Sequence, residues 1–110
     1  MNMLNLPRVV ADLVAVQNAF DSVAYSNCFS GTAIVQDEGE THQGPREIER
    51  WIAEANGKYK ATMRPVNFEN QGDESVLKAE VSGDFKGSPI VLTYHLEIAD
   101  ERIRFLKITG

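Results

Sequence analysis

The 110-residue chain has a single cysteine, Cys28. No intrachain disulfide can form and no cysteine-based zinc site can be assembled, so a reducing compartment suits it better than an extracellular one. No 18-residue apolar run is available to cross a bilayer as a helix. The opening MNMLNLPRVVADLV has no basic region ahead of its apolar residues, and Asp12 interrupts them, so it does not read as a signal peptide. Positive charge is scarce: 11 Lys and Arg stand against 16 Asp and Glu, for a formal net charge of −5. That argues against a nucleic-acid partner, which calls for a basic patch. The two histidines, His42 and His95, have no partner at metal-ligand spacing, so no metal is expected. Phosphate-cradling glycine loops, nucleophile elbows and dinucleotide fingerprints are absent, so no cofactor is expected either. These absences lead to one domain, residues 1–110, in the cytoplasm, with neither nucleic acid nor membrane as partner.

The residues that remain are patterned. Hydrophobic content of 43% and charged content of 25% are those of a globular chain rather than a disordered one. Pro7 opens a first helix, along which Val9, Val10, Leu13, Val14, Val16 or Gln17, Phe20 and Val23 recur at helical spacing. Asp21 is placed to cap a second, short helix over Ser22 to Phe29, ended by Gly31. In the strand that follows, Ala33, Val35 and Asp37 share one face. Gly39 and Gly44 bracket a hairpin through Glu40, Thr41, His42 and Gln43. Pro45 then starts a helix with Glu47 in its first turn, Ile48, Trp51, Ile52 and Ala55 on its buried stripe, and Asn56-Gly57 at its end.

The second half alternates as β-strands do. Val66 and Phe68 form one set, Leu77, Ala79, Val81 and Phe85 another, and Ile90, Leu92, Tyr94, Leu96 and Ile98 the longest. In the last strand the phase slips between Phe105 and Leu106, which predicts a bulge there or burial on both faces. Helices first, then antiparallel strands, give an α+β fold: N-terminal helices packed on one strongly curved, mainly antiparallel sheet forming a cone-shaped pocket. Helix side chains cannot fill a curled sheet to its end, and the space left over is where a ligand belongs.

The runs Val14-Ala15-Val16-Gln17-Asn18-Ala19-Phe20-Asp21 and Ala33-Ile34-Val35-Gln36-Asp37-Glu38-Gly39 resemble the nuclear transport factor 2-like superfamily. So do Gly44, Ile48 and Trp51, and the segment Val81-Ser82-Gly83-Asp84-Phe85-Lys86-Gly87-Ser88-Pro89-Ile90 with Leu92, Tyr94, Arg102, Ile103, Leu106 and Ile108. Within that superfamily the chain is similar to SnoaL-like domains, relatives of ketosteroid isomerases and polyketide cyclases. The resemblance covers nearly the whole chain. It places Asp37 where those isomerases hold the carboxylate that moves a proton beside a carbonyl. It places Leu13 where their first-helix tyrosine stands, and Tyr94 where they hold a protonated aspartic acid. Leu13 can donate nothing, which argues against steroid isomerisation; Tyr94 can donate.

Asp37 and Tyr94 are therefore the candidate catalytic pair, with Leu13, Asn18, Phe20, Val35, Trp51, Leu92 and Leu96 as candidate pocket lining. Partial desolvation would raise the Asp37 pKa toward the range of a useful base. The plainer alternatives are that Asp37 opens a polar turn with Glu38 and Glu40, and that Tyr94 is a core aromatic. Three functions stay open. One is a cofactor-independent isomerase, cyclase or dehydratase on a small lipophilic molecule; another is a module that binds such a molecule without converting it. The third is an interaction protein whose cavity is filled. A homodimer through the outer sheet face, Val91, Thr93, His95 and Glu97, suits all three.

Overall fold

The computed structural model describes residues 5–110; the start of the stretch read as no leader lies outside them. Helix α1 runs Arg8–Asn18 and α2 Ser22–Ser26. The α1 stripe is Val9, Val10, Leu13 and Gln17, so the inward position is Gln17 rather than Val16. The Asp21 side chain caps α2 as expected, its Oδ1 accepting from the Ala24 N–H at 3.0 Å. That helix is shorter than its spacing predicts, because the chain already enters strand β1 (Phe29–Asp37) at Phe29.

Strand β1 turns through Glu38 and Gly39, both at positive φ (53° and 77°), into β2 (Glu40–Gln43). Asp37 pairs with Glu40, a two-residue hairpin of the kind whose twist matches the strands. The residues expected to form the hairpin loop are thus a strand. Helix α3 (Gly44–Tyr59) follows, with Pro45 in its first turn and Glu47 Oε1 accepting from the Gln43 N–H at 2.8 Å. It continues through Gly57, where the sequence predicts an end, and stops at Lys60 in the left-handed conformation, whose N–H bonds Asn56 O. A helical glycine costs only about 1 kcal/mol, and the Tyr59 ring meets Phe85 edge-on at 6.1 Å.

The remaining strands are β3 (Thr62–Gln71), β4 (Glu74–Ser82), β5 (Ile90–Ala99) and β6 (Arg102–Thr109). All six form one curled sheet in the order β2-β1-β6-β5-β4-β3, parallel only between β1 and β6. The α+β, mainly antiparallel architecture is the one expected. Two bulges correct its details. The pairing of β3 with β4 skips Val66, which turns outward while Pro65 and Phe68 face in beside Ala79 and Leu77. In β6 the extra residue is Arg104, one position earlier than expected, which keeps both Ile103 and Leu106 buried. Phe85 lies beyond the end of β4, not within it.

The core fills the narrow end of the curl with Val10, Leu13, Phe29, Val35, Ile48, Leu77, Leu96, Ile103 and Leu106, all nearly inaccessible. Among the described residues no helix is long and apolar enough to cross a membrane.

Candidate functional site

Following the inward residues along each strand shows where the core stops. Val35, Leu106 and Leu96 are cross-strand neighbours and make one fully buried row. Two residues further along, the next row holds Asp37, Ile108 and Tyr94, and beyond it lie Leu92 and then Ile90. From that second row upward the curl holds a cavity of about 430 Å³, with Asp37, Tyr94, Leu92, Ile108 and Ile90 in its wall. Its roof is one face of α3, Trp51, Ile52, Ala55, Asn56 and Tyr59, the spacing of a single helical stripe. Asp37 and Tyr94 flank Ile108, which sets their Cα atoms about 10 Å apart at two interstrand steps.

Asp37 is half-buried. Burial pushes its carboxyl up from 3.8 to about 6, and the neighbouring Glu38 charge adds to the rise. Three neighbours oppose the rise: the Trp51 indole N–H, the His42 ring and the Glu38 backbone N–H. Tyr94 is 6% exposed, and burial followed by the Asp37 charge raises its phenol above the ordinary range.

The sequence pattern misses Tyr25. It lies in the short helix α2, too brief for periodicity to orient its side chains. In the structure Tyr25 is buried, lines the cavity, and packs on Phe29 and Trp51 with ring centroids 5.6 and 6.0 Å away. Burial, then Tyr94, then Asp37 drive its phenol well upward, and all three polar groups line the one cavity. The Asp21 cap was the available signal, since it fixes where α2 begins and therefore which way Tyr25 turns.

His42 also departs from expectation. Rather than lying in a hairpin loop, it pairs with Val35 across β1 and β2 and stacks on Trp51, 5.4 Å between centroids at 26°. Its Nε2 is buried without a partner. Trp51 is thus pinned between His42 and Tyr25, in the wall it shares with Asp37.

Of the predicted lining residues, Trp51 and Leu92 face the cavity. Leu13, Val35 and Leu96 do not: they lie one row too deep and are sealed in the core. Asn18 is spent on backbone, its Oδ1 accepting from Met63 N–H at 2.7 Å and its Nδ2 donating to Met63 O at 3.0 Å. Phe20 follows the end of α1 at φ 56°, and that turn leaves it 44% exposed. Gln17 takes the place predicted for Asn18, reaching the cavity and donating to Ala61 O at 2.7 Å.

Cys28 is a small buried apolar group whose thiol burial pushes upward. Arg64 pairs with Glu80 at 3.0 Å on the exposed face, away from the cavity. Among the described residues no cluster of three His, Cys, Asp or Glu is placed to hold a metal.

A half-desolvated carboxylate can take a proton from a carbon next to a carbonyl, and buried phenols in the same cavity can donate hydrogen bonds to the oxygen that gains charge. No protein-family model matches the chain, and no curated protein matches it. Solved structures do. A Sinorhizobium meliloti protein provisionally assigned as a polyketide cyclase is 36% identical, with a TM-score of 0.92 over 99% of this chain and 100% of its own. A Catenulispora acidiphila protein of ketosteroid isomerase-like fold, solved with trimethylamine, is 19% identical with a TM-score of 0.86, over 96% of this chain and 87% of its own. A provisionally assigned ketosteroid isomerase from Kribbella flavida is 10% identical at 0.78, over 93% and 74%. The last two bear on the fold alone.

Proposed function

Since this chain belongs to the nuclear transport factor 2-like superfamily, among its SnoaL-like members, we propose that it is a cofactor-independent acid–base enzyme of the isomerase, cyclase or dehydratase kind. Membership by itself decides nothing about chemistry, because the fold hosts many activities. The reading is carried by one observation: a half-buried carboxyl, which burial pushes up to about 6, stands in the wall of a largely apolar cavity that two buried phenols also line. Asp37 takes the proton, and Tyr94 and Tyr25 steady the enolate oxygen. Trp51 favours the ionised carboxylate, and the apolar wall of Leu92, Ile90, Val81 and Phe85 receives a small lipophilic substrate.

Proton exchange beside a carbonyl tests this without knowledge of the product. A panel of small lipophilic ketones incubated in heavy water with the protein should gain deuterium at the α-carbon. The base acts ionised, so the rate should climb with pH through about 6 and then level off. Asp37→Asn should lower it by roughly 10²–10⁴-fold. Exchange that survives the substitution rules Asp37 out as the base.

One observation favours a second reading, binding without conversion: Leu13, at the position of the isomerases' tyrosine, is sealed in the core. A lipophilic dye displaced by ligands that never exchange would select it. For the assembly, we place a second copy against the outer sheet face, where Val91 is 52% exposed beside Thr93, His95 and Glu97. Sedimentation of Val91→Glu as a monomer against a wild-type dimer would support that face. A reducing compartment, the cytoplasm, remains the setting that the lone buried Cys28 suits.

A further inference from the structure

We propose that the cavity selects by charge, accepting uncharged carbonyl compounds and protonated amines with small apolar substituents while excluding carboxylates and phosphates. This rests on the reading that the cavity takes a ligand at all. Among the described residues its wall contains no lysine, arginine or histidine, yet it contains two acids, Asp37 and Glu38, adjacent at one end. An anion entering would shed its hydration with no counter-ion to meet it, and would do so beside like charge.

Neutral donors in the wall do not replace a counter-ion, and some are already spent. Gln17 has committed its amide donor to Asn56 Oδ1 at 3.2 Å and Ala61 O at 2.7 Å. Exposed ammonium groups occur near the rim but stand outside the wall. Lys58 Nζ lies 5.1 Å from the Tyr59 ring, and Lys60 Nζ donates to Gly57 O at 3.4 Å, both where salt screens them. A cation meets the opposite situation: two carboxylates to pair with, and the aromatic rings of Tyr25, Trp51 and Tyr94 around them. A ketone needs no counter-ion and finds the two phenols as donors.

The selection also depends on pH. Asp37 is faced by Glu38 from the hairpin turn, His42 from β2, Trp51 from α3, Tyr25 from α2 and Tyr94 from β5. Its carboxyl changes charge at about 6. Amine binding therefore strengthens as pH rises through that value, while ketone binding stays level.

Trp51 is the only tryptophan and lines the cavity beside Asp37, so its fluorescence reports on the site. Three probes of one shape are enough: cyclohexanone, cyclohexylamine and cyclohexanecarboxylate, titrated in low salt. At pH 7.5 the carboxylate should bind at least tenfold more weakly than either of the others. At pH 5 the amine should lose up to about tenfold, the fall in ionised Asp37. Asp37→Asn should abolish that pH dependence, and Glu38→Gln, at an exposed position, should narrow the gap between amine and carboxylate. A carboxylate bound as tightly as the amine overturns the charge selection. Silence from all three probes defeats both it and the ligand-site reading. The charge order without any ketone exchange upholds the selection and removes only catalysis.

Discussion

Replacing Asp37 with asparagine should make the protein more stable at neutral pH while disabling it. The carboxyl is raised from 3.8 to about 6, chiefly by burial. Between those values the folded chain holds a proton that the unfolded chain has released. Stability from this group is therefore greatest in acid and is lost as pH rises toward 6. At about 1.36 kcal/mol per pH unit the full cost is roughly 3 kcal/mol. Asp37 is only half-buried, so solvent screening reduces this to about 1–2 kcal/mol. Asparagine has nearly the same shape and carries no charge to desolvate. For a domain of this size the gain corresponds to a midpoint roughly 4–8 °C higher. Thermal unfolding of both proteins by circular dichroism, at pH 7.5 and at pH 4, is the assay. The difference should be present at the first pH and close to zero at the second. An Asp37→Asn protein no more stable than wild type at pH 7.5 would show that the carboxylate is not desolvated, and would refute the argument for its basicity.

Tyr94→Phe and Tyr25→Phe should each slow α-proton exchange by roughly 10²–10³-fold, the usual cost of losing an oxyanion donor, with little change in ligand affinity. If only one of them matters, the kinetic comparison identifies the donor. Asn18→Ala strands the Met63 N–H and C=O that its amide now satisfies; denaturant unfolding should show a loss of about 2 kcal/mol with the pH midpoint of exchange unmoved. Gly83→Ala would place a Cβ 2.6 Å from Tyr59 O and 2.9 Å from Ala61 Cα. Because the obstacle is backbone, about 2–3 kcal/mol of stability should be lost, and ligand affinity with it, since Tyr59 and Ala61 line the cavity.

The parts of this fold that were legible in the sequence are those whose signal is local. The β1 phase, the Asp21 cap, the Pro45 start and the β5 alternation each depend on residues within a few positions of one another. The structure departs from the sequence pattern in elements whose state is decided at a distance. Gly57 stays helical because Tyr59 docks on Phe85, which is far along the chain. Val66 turns outward because the β3–β4 register shifts around Pro65, and a one-residue slip reverses every facing that follows. His42 resembles a loop residue in the sequence because spacing alone does not separate the two-residue turn at Glu38-Gly39 from a longer one that runs to Gly44.

The candidate lining failed for a more general reason. Alternation says which face of a strand points inward; it cannot say how far along the strand the roof is packed down. Val35 and Asp37 share a face, as do Leu96, Tyr94 and Leu92, yet the first of each set is sealed and the others border open space. That boundary depends on where α3 crosses the sheet and on the size of the side chains it lowers. Ile48 and Ile52 close the deep end, whereas Ala55 leaves room above. The polar groups Asp37, Tyr94 and Tyr25 sit at the step between the two regimes, where burial is enough to raise their pKa values and open space is enough for a ligand to reach them. One row deeper, an ionised carboxylate would have to lose its charge; one row higher, water would hold it near an ordinary acidity. The chemistry proposed for Asp37 thus depends on the depth at which the helix stops filling the sheet.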